Sequence, residues 1–174
     1  MQELIYNQAQ IPKDQWRYGL RSSASTGCGW IAVNNALVLM GQDVDIPHLI
    51  RSCQRQAPLI HGNAGTLFFG PGLLLKQWGF PTAMCNHPRQ YDELLKEWGV
   101  GILFYYWREG LKIGSHFVAV QYSDQGFWGY NTYRNSTGPD YYGPSLQTYL
   151  KKQGFFATVL TLVRTPPEFS PSKP

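Results

Sequence analysis

Cys28 stands where a run of small and polar residues, Ser22 to Gly27, gives way to the apolar stretch GWIAVNNALVLMG. That boundary reads as a helix N-terminus, where unpaired N–H groups and the macrodipole favour an anion. A thiol there is expected to titrate below its free value of about 8.5, making the nucleophilic thiolate available near neutral pH. The blander reading is a small buried hydrophobe at a helix start. A base within reach separates the two, and His116 offers one. It opens the alternating strand HFVAVQY, which the turn SDQG joins to GFWGYN, ending at Asn131. With the turn centred between Ser123 and Asp124, His116 and Asn131 face each other. With the turn centred one residue later they are diagonal neighbours on the same face. Cys28, His116 and Asn131 then form a nucleophile, a base and an orienting group, the constellation of acyl transfer through a thioester. Read as an ordinary cross-strand pair, His116 and Asn131 carry no chemistry.

The remaining histidines, His48, His61 and His87, each sit beside Pro or Gly and read as surface or capping residues. Cys53 and Cys85 are far from Cys28 and from each other, so no Cys-x-x-Cys metal pair exists and any disulfide scheme leaves one thiol over. No metal and no cofactor are expected, and a reducing, cytoplasmic compartment is. The 15 Lys and Arg of the +4 chain are scattered rather than gathered into a stripe, which argues against a nucleic-acid partner. No apolar run is long enough for a membrane helix. With 174 residues, 43% hydrophobic and only 15% charged, the chain can bury a core of its own. One domain over residues 1–164 is expected, with the Pro-rich Thr165 to Pro174 as a loose tail. Oligomeric state is not readable.

Positioning the three residues falls to two halves of different pattern. Helices are expected over Gly29–Met40 closed by Gly41, Ile46–Gln54 capped by Asp45, Gly72–Trp78 and Tyr91–Trp98. Strands are expected from Val100, His116, Gly126 and Phe155, with a short helix in SLQTYLKK before the last. Helices first and mostly antiparallel strands after make the class α+β. The tryptophans Trp30, Trp78, Trp98, Trp107 and Trp128 read as core and groove walls. Asn34 and Asn35 read as partners for neighbouring loops, and the loop Asn135 to Ser145 as a wall of a substrate groove.

The order Cys28, His116, Asn131 resembles the papain-like cysteine peptidase superfamily, and more closely its bacteriocin-processing, double-glycine leader peptidase branch. The similar pieces run from about Trp16 to Arg164: GCGWIAVNNALVLMG, AGTLFFGPGLLLKQWGF, YDELLKEWGVGILFYY, GSHFVAVQY and GYNTY. The resemblance implies a papain-like fold, with the nucleophile helix packed on the sheet and a peptide or protein as substrate. Many members of that branch carry Asp where this chain has Asn131, although papain itself uses an amide. Papain-like enzymes usually hold a Gln six residues before the cysteine to bind the oxyanion, and that position is Ser22 here. One such donor is worth about 2.7–4 kcal/mol in the transition state. The expected function is therefore a cysteine peptidase that hydrolyses a peptide bond. Acyl transfer to an amine and a weak or inactive peptide-binding module of the same fold are the alternatives.

Overall fold

The computed structural model describes residues 3–56 and 65–167. His61 and residues 168–174 of the expected tail lie outside them. A two-stranded hairpin, β1 (Arg17–Tyr18) and β2 (Arg21–Ser22), leads into the single turn α1 (Ser23–Thr26) and then α2 (Cys28–Leu39). The helices α3 (Ile46–Gln56) and α4 (Gly70–Gln77), the strand β3 (Thr82–Cys85) and α5 (Tyr91–Trp98) follow. The remainder is β4 (Val100–Glu109), β5 (Lys112–Ser123), β6 (Gly126–Tyr130), β7 (Asp140–Gly143), α6 (Leu146–Gln153) and β8 (Phe156–Val163). The class is α+β. One six-stranded sheet in the order β3-β8-β4-β5-β6-β7, antiparallel at every pairing, takes the centre.

The layers follow from alternation along the two central strands. Ile102 and Phe104 of β4, with Phe117 and Ala119 of β5, pack in one cluster with α2, α3 and α4. Leu103, Tyr105, Val118 and Val120 pack in the other with Tyr91 and Leu95 of α5 and Leu146 and Leu150 of α6. The sheet is thus covered on both faces, which the sequence reading, with its helical half on one side, does not foresee. α2 has no polar face. Every residue from Gly29 to Leu37 is buried, as befits a helix apolar all round. It stops at Gly41, whose φ of 76° a residue without a Cβ adopts freely.

Helix boundaries fall close to expectation, Tyr91–Trp98 to the residue. In α3, Asp45 Oδ1 accepts the His48 N–H at 3.3 Å, the expected cap. The strands β1, β2, β3 and β7 are short and are not expected from sequence. β7 lies inside the stretch read as a loop. Asn35 does serve a neighbouring segment: its amide exchanges two hydrogen bonds with Ile5, at 2.9 and 2.8 Å. Among the described residues no helix is long and apolar enough to cross a membrane.

Trp30, fully buried two residues beyond Cys28, donates its indole N–H to Ser23 Oγ at 3.1 Å and meets Trp16 edge-on at 5.6 Å. Trp30→Ala removes a large ring from a close-packed site and strands a buried hydroxyl. A loss of about 3–5 kcal/mol is expected in urea denaturation.

Candidate active site

Two glycines hold Cys28 in place. A Cβ on Gly27 would lie 2.6 Å from the Ser23 carbonyl oxygen and 2.7 Å from Trp30 Nε1. A Cβ on Gly29 would lie 2.5 Å from Thr66 Oγ1. The chain can therefore turn from α1 into α2, and the Gly65–Thr66 segment can press against the helix head, only because neither neighbour of the cysteine has a side chain. Thr66 is in turn bonded at 2.8 Å to the buried hydroxyl of Tyr18, whose pKa burial pushes far up.

The Cys28 thiol is half-buried, and the nearby main chain of Phe117 in β5, of Gly29 and of Cys28 itself pulls its pKa down. All three favour the thiolate, as the helix-head reading requires. Burial outweighs them, and the thiol pKa lies above, not below, its ordinary value of 9.0. The depressed pKa expected from sequence is corrected on this point: the favourable dipole is present, but desolvation is larger.

His116 precedes Phe117, so the strand whose main chain acts on the sulfur also carries the imidazole. The ring lies edge-on to Tyr105, its partner across β4 and β5, with centroids 5.9 Å apart. Its Nε2 lies 2.7 Å from the main-chain carbonyl oxygen of Asn131. A carbonyl only accepts, so Nε2 carries the proton and Nδ1 keeps the lone pair. Burial lowers the His116 pKa below 6.5; the Asn131 carbonyl opposes that shift, and the nearby Arg134 charge adds to it.

The hairpin register is the diagonal one of the two anticipated, with Ser123 opposite Gly126 and Ala119 opposite Tyr130. Asn131 lies one residue past β6, at a φ of 70°. Its side chain therefore leaves the face that the ladder would give it. Asn131 Oδ1 accepts the Gln8 N–H at 2.8 Å, and its Nδ2 donates to Gln8 Oε1 at 3.1 Å. The structure brings Asn131 to His116 as expected, but through the peptide carbonyl rather than the amide. Ser22 is the N-cap of α1, and its Oγ accepts the Ala24 N–H at 3.1 Å, a bond that uses a lone pair and not the hydroxyl proton. Gln8 has no counterpart in the sequence reading. It lies 123 positions from Asn131, and no local pattern signals such a contact.

No family model matches the chain, and no curated protein matches it. Among solved structures, it is similar to the peptidase domain of Streptococcus ComA, described as a bifunctional ABC transporter involved in a quorum-sensing pathway. The TM-score is 0.53 at 12% identity, over 81% of this chain and 93% of that one. The α+β fold of this chain matches that of the ComA peptidase domain. At that identity the likeness speaks for the fold alone, so the roles of Cys28 and His116 rest on this chain's own geometry.

The other predicted residues fall outside this centre. His48 stacks on Trp78 at 5.7 Å, and His87 stands at the N-cap position of the turn Pro88–Gln90 without a side-chain bond to it. Cys53 is buried in α3, its pKa raised by desolvation to about 12. The stretch expected to wall a groove borders a cavity of about 440 Å³ lined by tyrosines, among them Tyr133, Tyr141, Tyr142 and Tyr149. Tyr142 and Tyr149 stack at 3.9 Å, and Tyr142 is bonded to Thr132 at 2.6 Å.

His116, Cys28 and Cys53 set a stability window. His116, lowered in the fold, contributes stability that is complete above 6.5 and is lost as pH falls through its folded value. Cys28 and Cys53, raised in the fold, contribute stability complete below 9.0 and lost as pH rises through theirs. The melting temperature should therefore be highest between these limits. Cys28→Ser should make the alkaline arm shallower, with Cys53 still contributing to it, and leave the acid arm in place, as differential scanning fluorimetry against pH will read.

Proposed function

We propose that the protein is a cysteine peptidase-like hydrolase acting on a peptide or protein, with Cys28 as nucleophile and His116 as general base. The observation that carries this reading is the 2.7 Å contact between His116 Nε2 and the Asn131 carbonyl. It leaves Nδ1 as the basic atom on the strand whose next residue acts on the thiol through its main chain. In the first step Cys28 Sγ attacks the substrate carbonyl carbon while its proton passes to His116 Nδ1. The oxyanion that forms is met by N–H groups at the head of α2, those of Cys28 and Gly29. The C–N bond breaks, the amine leaves with the proton held by His116, and a thioester to Cys28 remains. Water, deprotonated by the same imidazole, releases the acid and restores the thiol. An amine in place of water would make the same centre an acyltransferase.

The raised thiol favours a second reading, a papain-like module that binds peptide and cleaves it slowly or not at all. Three free thiols suit a reducing, cytoplasmic setting for either.

A peptide aldehyde is expected to form its adduct on Cys28 and not on Cys53 or Cys85, read by intact mass and peptide mapping. Cleavage of a library peptide should be abolished in Cys28→Ala and slowed about 10²–10⁴-fold in His116→Ala. Peptides that bind wild type and Cys28→Ala equally, with no cleavage by either, would replace the hydrolase with the binding module.

A further inference from the structure

We infer that Gln8 is a positioning residue for the imidazole, acting through the Asn131 main chain. This rests on His116 being the general base. Asn131 follows the last paired residue of β6, and the β6–β7 ladder ends at Gly129 opposite Asp140, so neither ladder directs its carbonyl. Its φ of 70° belongs to the left-handed region, which a non-glycine residue occupies only when its surroundings hold it there. Gln8 does the holding. Its N–H and its Oε1 take both polar atoms of the Asn131 amide, at 2.8 and 3.1 Å, and the asparagine is only 2% exposed. Two bonds in opposite senses fix the plane of an amide as well as its place. With the side chain immobilised, the carbonyl of the same residue stays aimed at His116 Nε2.

The third polar group of Gln8 reaches the other half of the site. Its Nε2 donates to the Ala24 carbonyl at 3.2 Å, in the turn α1 that precedes Cys28. One glutamine thus ties the segment that feeds the nucleophile to the acceptor that orients the base. Gln8 is itself anchored on both sides. Asn7 caps the turn Gln8–Gln10 through the Ala9 N–H at 2.9 Å and donates to the Arg134 carbonyl, and Ile5 is held by Asn35 of α2. The segment from residue 5 to residue 10 is a strap drawn from the nucleophile helix to the turn after β6.

The test reads the imidazole directly, so it does not depend on catalysis. In ¹⁵N-labelled protein His116 is expected as the Nε2–H tautomer, with slow exchange of that proton. Gln8→Ala and Gln8→Met, which keep the main-chain N–H but lose Oε1 and Nε2, should add the Nδ1–H tautomer and speed exchange roughly tenfold, the equilibrium worth of one hydrogen bond. Gln8→Glu, which retains the acceptor for Asn131 Nδ2, should restore the wild-type tautomer and exchange. Should wild-type tautomer and exchange persist in whichever of Gln8→Ala and Gln8→Met folds, the positioning role is overturned. A tautomer shift in a protein that cleaves no peptide would uphold the role of Gln8 and overturn the hydrolase reading instead.

Discussion

The architecture depends on burying the head of α2. From Gly29 to Leu37 every residue of this helix is buried, the apolar ones among apolar neighbours and Asn35 against the Ile5 main chain. β5 lies along one flank and α3 and α4 along others. The cysteine sits at the one place on this helix where main-chain N–H groups are unspent, so the demand for burial and the supply of hydrogen-bond donors meet at a single residue. Gly27 and Gly29 make that meeting possible sterically. Their missing side chains let Trp30, Ser23 and Thr66 approach to distances that any Cβ would block.

The same burial sets the acid–base character of the site. A helix terminus offers an exposed charge about 0.3–1 kcal/mol, and up to about 2 in partly buried geometry. Desolvation can move a titratable group by several units, each worth about 1.4 kcal/mol. With both acting on Cys28 the larger wins, and the thiol rises although three main-chain groups pull it down. His116 answers the same low-dielectric surroundings by falling. Position at a helix head predicts the direction of one contribution; only the depth of the site predicts the sum.

What is legible in the sequence follows from range. The apolar run after Cys28, the alternation from His116 to Tyr122 and the Gly-closed helix Tyr91–Trp98 are local patterns, and the elements they imply are present. The choice between two registers of the β5–β6 hairpin needs the geometry of one turn, and stays open until Ser123 is seen opposite Gly126. The strands β1, β2, β3 and β7 have two to four residues each, too few for periodicity to mark. That Asn131 meets His116 through its carbonyl and not its amide is not legible, because the left-handed φ at Asn131 goes with its contacts to Gln8 and not with the alternation leading up to it. The bonds from Gln8 to Ala24 and Asn131 bridge 16 and 123 positions, beyond any motif.

The choice of a carbonyl to hold His116 has a chemical consequence. A carboxylate in that place would fix the tautomer and also stabilise the imidazolium, raising the basicity of the ring. A peptide carbonyl fixes the tautomer with a dipole only, and cannot by itself offset burial and the Arg134 charge. In the proposed mechanism a thiol raised by burial would therefore work with an imidazole lowered by it. Under that proposal, proton transfer would accompany attack on the carbonyl carbon rather than start from a preformed ion pair.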